Sequence, residues 1–177
     1  FGALPMRNIL AALMKPSQNQ VAEILRKTIG LERGGMGNAD SARKIVGQQL
    51  LAWGAQPDGF VIRDGSGLSR HDLVTPETLV RVLDKIQQDT AFAVYYNAMP
   101  IAGVDGTLKD RMKGTPAEGN VRAKTGSIAA ARSLSGYGTT ADGDRPLFSI
   151  PATNWPPPRS PAADAPPGPS GDCPRSS

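Results

Sequence analysis

Two kinds of hydrophobic spacing divide this chain, and their order constrains the fold more than any other feature. Val21, Ile24, Leu25 and Ile29 recur at helical intervals, as do Ala42, Ile45, Val46, Leu50 and Trp53, and then Leu79, Val82, Leu83 and Ile86. Gly30 and Gly54 stand where the first two helices would be capped at their C-termini. Ser41 is placed to cap the second at its start, and Thr75-Pro76 opens the third with a hydroxyl cap and a proline at the first helical position. After Gly119 the pattern changes. Val121 to Lys124, Ser133 to Gly138 and Pro146 to Ile150 read as short strands, with Asp142-Gly143 as a hairpin turn between the last two. Helices first and an antiparallel meander afterwards predict an α+β fold.

The 177 residues suffice for one domain and a tail. Nine of the sixteen prolines fall within 151–177. Proline lacks a backbone N–H and is rejected by helix interiors, so the expected organisation is a folded body over 1–150 and an extended, disordered tail over 151–177. The net charge of +4 is spread without a run of Lys or Arg, so no nucleic-acid partner is expected. Cys173 is the only cysteine and His71 the only histidine. A disulfide framework, a metal cluster and a histidine-based triad all lack material, and no cofactor motif is complete. Covalent chemistry would have to rest on a Ser or Thr activated by Lys. No apolar run approaches membrane-spanning length. The chain opens on Phe1 rather than Met and reads as a fragment, so a missing signal peptide carries no information.

Two triplets carry the chemistry: Ser17-Gln18-Asn19, in a turn between two helical stretches, and Lys124-Thr125-Gly126, at the end of a strand. Each is short enough to arise by chance, and each has a plain structural alternative. Ser17 is suited to cap the helix that follows, and Lys124 to be an ordinary edge-strand charge. Asp64 to Gly67 reads as a Gly-rich turn, His71 and Asp72 as a solvated loop, and Asp142 and Asp144 as a turn rather than a calcium loop. Ser41-Ala42-Arg43-Lys44 matches S-x-x-K as a string, but its serine reads as a helix cap.

The setting of the triplets resembles one family closely. Ser17-Gln18-Asn19-Gln20-Val21-Ala22-Glu23, Asp64-Gly65-Ser66-Gly67-Leu68-Ser69-Arg70, and the run from Pro100 through Gly106-Thr107-Leu108 follow its order and spacing. Gly114-Thr115-Pro116-Ala117, Val121 to Ser127 and Leu134-Ser135-Gly136-Tyr137 continue it. These stretches resemble the class C low-molecular-mass penicillin-binding proteins, D-alanyl-D-alanine carboxypeptidases and endopeptidases. The resemblance implies part of a serine β-lactamase/DD-peptidase-like transpeptidase domain, an antiparallel sheet flanked by helices. It implies hydrolysis of the bond before a terminal D-alanine through an acyl-serine. Lys124 would hold the substrate carboxylate, with Thr125 adding a hydroxyl donor. Gly126 would admit the substrate backbone to the strand edge, and the Ser127 N–H would form half of an oxyanion hole. Ser17 would relay a proton to the leaving amine, and Asn19 would bond the substrate peptide and the lysine of an S-x-x-K motif. The implied partners are peptidoglycan stem peptides ending in D-Ala-D-Ala, and β-lactams in the complete protein, in the periplasm or otherwise outside the cytoplasm.

In that family the S-x-x-K serine precedes S-x-N, so this chain is expected to be a C-terminal part, inactive alone. The alternatives are a non-catalytic remnant that binds wall peptide and a β-lactamase-like hydrolase. Beyond Ile150 the chain departs from the family's last strand, as a reading-frame shift or a divergent terminus would produce.

Overall fold

The computed structural model of the chain describes residues 4–153. The 151–177 expectation therefore falls, beyond Thr153, outside the described residues. The order of elements is α1 (Met6–Met14), α2 (Asn19–Gly34), α3 (Ala39–Ala52), β1 (Phe60–Val61), β2 (Leu73–Val74), α4 (Pro76–Gln87) and α5 (Phe92–Ala98). A single 3-10 turn (Gly106–Leu108) leads to β3 (Arg122–Ile128), β4 (Ala131–Tyr137) and β5 (Leu147–Thr153). The last three strands form an antiparallel sheet in sequence order, and β1 and β2 pair as a separate ribbon. The fold is α+β, as the change in periodicity predicts.

Helix boundaries were legible where the capping chemistry is local, and shifted where a neighbouring helix decides. Thr75 accepts the Thr78 N–H and Pro76 opens α4, as read from the sequence. Gly30, by contrast, does not end α2. A Cβ there would lie 2.9 Å from Met36 O and 3.0 Å from Ala42 N, so this glycine lets α3 approach. The helix runs to Gly34 and ends on Gly35 at φ +72°, whose N–H returns to Leu31 O. Ser41 is likewise not the cap of α3. Asn38 fills that role by accepting the Ser41 N–H at 2.8 Å, and the Ser41 hydroxyl donates to Gly30 O, pinning α3 to α2.

The core lies between the helices and one face of the sheet. Met14, Leu83, Ala98, Met99 and Tyr137 are buried together, and Leu10, Leu13, Phe92, Tyr95, Tyr96 and Leu147 pack against them. Tyr137 is fully buried; its hydroxyl donates to Leu83 O at 2.9 Å, and the rings of Phe92 and Tyr96 meet it edge-on. That one side chain ties β4 to α4 and α5. Asp142-Gly143 does sit in the β4–β5 connection, with Gly143 at φ +89°.

The 64–70 stretch is a turn docked on α2. Asp64 accepts the N–H groups of Gly67 and Ser69 at 2.6 and 2.7 Å, closing the turn on itself. Glu23, in the second turn of α2, accepts the N–H groups of Gly65 and Ser66 at 2.7 and 3.0 Å. Arg26, 9% exposed, holds the other Glu23 oxygen and donates to Arg63 O. Burial pushes the Glu23 carboxyl up, but the Gly65 and Ser66 N–H groups and the Arg26 guanidinium outweigh it and hold it below the usual carboxylate range. Stability from this group is therefore complete above the unfolded glutamate value of about 4.3 and is lost as pH falls through its lower folded value. E23Q should destabilise the chain by about 1–3 kcal/mol at neutral pH. Urea unfolding should show the difference from the parent shrinking as the pH is taken below 4; a pH-independent difference would contradict the charge-assisted contact.

Candidate functional site

The tight turn between α1 and α2 sets the first half of the site. The Gln18 N–H donates to Leu13 O at 2.9 Å, and Ser17 is held at φ +60°. A non-glycine residue in the left-handed region costs about 1–3 kcal/mol, so surrounding contacts must hold it there. Ser17 is not a helix cap. Gln18 occupies the position before α2, and its side chain makes no capping bond. The Ser17 Oγ instead accepts from Lys124 Nζ at 2.6 Å, joining groups 107 positions apart in sequence. Asn19 is the first residue of α2, and its side chain is exposed.

The second half is β3. Lys124-Thr125-Gly126 lies in the middle of this strand rather than at its end, because the meander keeps pairing as far as Ile128 opposite Ala131. Lys124 also donates to Thr125 O at 2.8 Å. Burial pushes its ammonium below the ordinary lysine range. Antiparallel pairing alternates the direction of backbone groups. Since Ala123 N–H donates outward to Pro100 O, the N–H groups of Thr125 and Ser127 face that same outer edge. Strand β4 occupies the other edge. Gly126 has a reason that the sequence did not reveal: a Cβ there would collide with the Ser133 side chain on β4.

A third element joins the two halves, and sequence reading missed its residues. The Thr125 hydroxyl donates to Thr107 Oγ1 at 2.9 Å, and the Thr107 N–H donates to Lys15 O at 3.0 Å. The Lys15 ammonium donates to Asp105 Oδ2 and to Met99 O, each at 2.6 Å. The other Asp105 oxygen accepts the Ile101 N–H at 2.8 Å. Lys15 carries no local signal; Asp105 and Thr107 stood inside a recognised stretch but without a role. Ser17, Lys124, Thr125 and Thr107 are thus gathered in one place, with Asn19 two residues beyond Ser17. Chemically, this offers an ammonium, hydroxyls and an open strand edge: the means to hold a carboxylate and an extended peptide.

The remaining candidates fall elsewhere or serve the scaffold. Ser41 and Lys44 both lie on α3, with Ser41 engaged in packing. His71 is exposed. Asp72 is less solvated than a free loop residue: it accepts the N–H groups of Arg63 and Asp64, and burial, together with the neighbouring Asp64 carboxylate, raises its pKa. Among the described residues no three His, Cys, Asp or Glu side chains are grouped to hold a metal ion, and no helix is long and apolar enough to cross a membrane.

The D-Ala-D-Ala carboxypeptidase 3 (S13) family matches residues 2–165. A D-alanyl-D-alanine carboxypeptidase of Actinomadura sp. is 41% identical over 150 residues, which are 82% of this chain and 28% of that protein. The D-alanyl-D-alanine carboxypeptidase DacB of Haemophilus influenzae is 33% identical over 147 residues, 81% of this chain and 31% of that one. The crystal structure of penicillin binding protein 4 (dacB) from Haemophilus influenzae superposes with a TM-score of 0.81 at 32% identity, covering 88% of this chain and 35% of that chain. An extended-spectrum β-lactamase shares the fold alone, at 18% identity and a TM-score of 0.65. The chain spans about a third of the length of the curated relatives named here. The chain belongs to the D-Ala-D-Ala carboxypeptidase 3 (S13) family.

Proposed function

We propose that this chain supplies the S-x-N and K-T-G part of a serine-type D-alanyl-D-alanine carboxypeptidase/endopeptidase site that acts on peptidoglycan stem peptides outside the cytoplasm. The observation that carries it is the 2.6 Å hydrogen bond from Lys124 to Ser17. In this reading the terminal carboxylate of the substrate meets the Lys124 ammonium and the Thr125 hydroxyl. The substrate backbone adds to the outer edge of β3 beside Gly126, with the Ser127 N–H directed at the developing oxyanion. An acyl-serine forms on an S-x-x-K serine, Ser17 returns the proton to the leaving D-alanine amine, and Asn19 steadies the peptide group. β-Lactams enter as substrate mimics; a β-lactam complex of the Haemophilus influenzae relative supports this.

No serine precedes Ser17 in this chain. We therefore place the acylated serine outside it, and the chain by itself is inactive. The second reading is a non-catalytic module that retains the peptide-binding edge.

Fluorescent penicillin separates these readings. The 177-residue chain alone should give no covalently labelled band after denaturing electrophoresis. A chimera carrying the whole chain in place of the matching segment of the Actinomadura carboxypeptidase should label. Labelling of the chain alone would overturn the assignment of the nucleophile, and a folded chimera that fails to label would favour the non-catalytic module. K124M in the chimera should slow labelling at least about 30-fold, the worth of about 2 kcal/mol in a charge-assisted hydrogen bond. Because burial lowers the Lys124 pKa, the ammonium that binds carboxylate is lost at a lower pH than in an exposed lysine. Labelling should accordingly fall as the pH rises, with a midpoint below about 10.4, and this alkaline limb should be absent from K124M. A midpoint at or above the ordinary lysine value would contradict the burial of Lys124.

A further inference from the structure

We propose that the Asp105-Gly106-Thr107 turn is a positioning bridge: through Lys15 it holds the strained Ser17 turn, and through Thr107 it orients the Thr125 hydroxyl toward a substrate carboxylate. The inference rests on the carboxypeptidase reading above and assigns residues that reading leaves without a role.

The turn presses on the backbone just ahead of Ser17. Gly106 sits at φ +56°, and a Cβ there would lie 2.6 Å from Lys15 O and 3.1 Å from Pro100 Cβ, so no side chain fits. The next residue, Thr107, donates its N–H to that same Lys15 carbonyl. The Lys15 side chain returns to Asp105 and to Met99 O, so its main chain and side chain are both held. Leu108, fully buried, anchors the turn from below. Ser17 lies two residues beyond Lys15, and a left-handed serine persists only where its surroundings over-determine it. This clamp is what supplies that constraint.

The other end of the bridge controls a proton. A hydroxyl has one hydrogen to give. In the resting arrangement Thr125 gives it to Thr107 Oγ1. When a carboxylate arrives beside Lys124, Thr107 turns its own O–H toward Thr125 Oγ1, and the Thr125 proton is released to the carboxylate. No covalent bond changes; one hydrogen bond reverses direction and one new one forms to the carboxylate. Serine at 107 preserves this exchange, and valine, of the same shape, cannot make it.

The test uses the labelling chimera with a penicillin bearing its free carboxylate and with the corresponding methyl ester, and reads the apparent dissociation constant, the acylation rate and the melting curve. T107V should weaken binding of the carboxylate form about five- to tenfold and of the ester by less than about twofold, with an unchanged melting curve, and T107S should restore the carboxylate form to within about twofold. D105N, which loosens Lys15, should instead slow acylation by both ligands alike, about three- to tenfold. Equal effects of T107V on acid and ester, no effect on either, or failure of T107S to rescue would overturn the orienting role. An unchanged acylation rate in D105N would overturn the clamp. Should T107V not fold, T107A replaces it and is read in the same way. The underlying site is judged separately by K124M: loss of labelling there beside a neutral T107V sinks the bridge alone, while K124M that labels like the parent removes the site reading and the bridge with it.

Discussion

The hydrogen bond from Lys124 to Ser17 ties the turn between α1 and α2 to β3 and fixes their separation. Apolar contacts are non-directional and set distances loosely. A 2.6 Å contact between a half-buried ammonium and a serine in the left-handed region does not tolerate drift. Its components are costly: burial disfavours the charge on Lys124, and Ser17 is strained.

Two glycine-containing loops make that arrangement possible. Asp64 to Ser69 docks on α2 through Glu23 and Arg26, while Pro100 to Leu108 docks on the end of α1 through Lys15. The α1–α2 hairpin that presents Ser17 is therefore braced on both of its helices. In each case backbone N–H groups of a loop are satisfied by a carboxylate, which helps to fix the loop's shape. Gly65 and Gly106 are small because helix backbone or its immediate continuation lies against them: a Cβ would lie 3.0 Å from Ala22 O in the first case and 2.6 Å from Lys15 O in the second.

The sheet presents two unequal edges. Beyond the bridge from Ile101 to Arg122, the outer edge of β3 carries the N–H groups of Thr125 and Ser127, the edge proposed above to receive a peptide. Among the described residues β5 pairs only with β4, and Ile150 on it is 60% exposed. That strand continues to Thr153, three residues past the point where the composition changes, since a strand tolerates a proline such as Pro151 where its N–H is not needed for pairing.

Local chemistry determined a good part of this protein from sequence alone. The cap at Thr75-Pro76, the turn at Asp64 to Gly67, the change from helical to strand spacing, and the identity of the two triplets all depend on residues within a few positions of one another. What depended on packing was not legible. Gly30 reads as a helix end, but α3 lies across it; Ser41 reads as a cap, but Asn38 fills that place; Lys124 reads as a strand end, but β4 pairs beyond it. Lys15, Asp105 and Thr107 had no local signature, because a salt bridge or a hydroxyl pair exists only once the fold has closed distances of 18 to 90 residues along the chain. Sequence named the chemical groups; only tertiary structure decided which of them touch, since a side chain's reach is a few ångströms and the chain between them is many times longer.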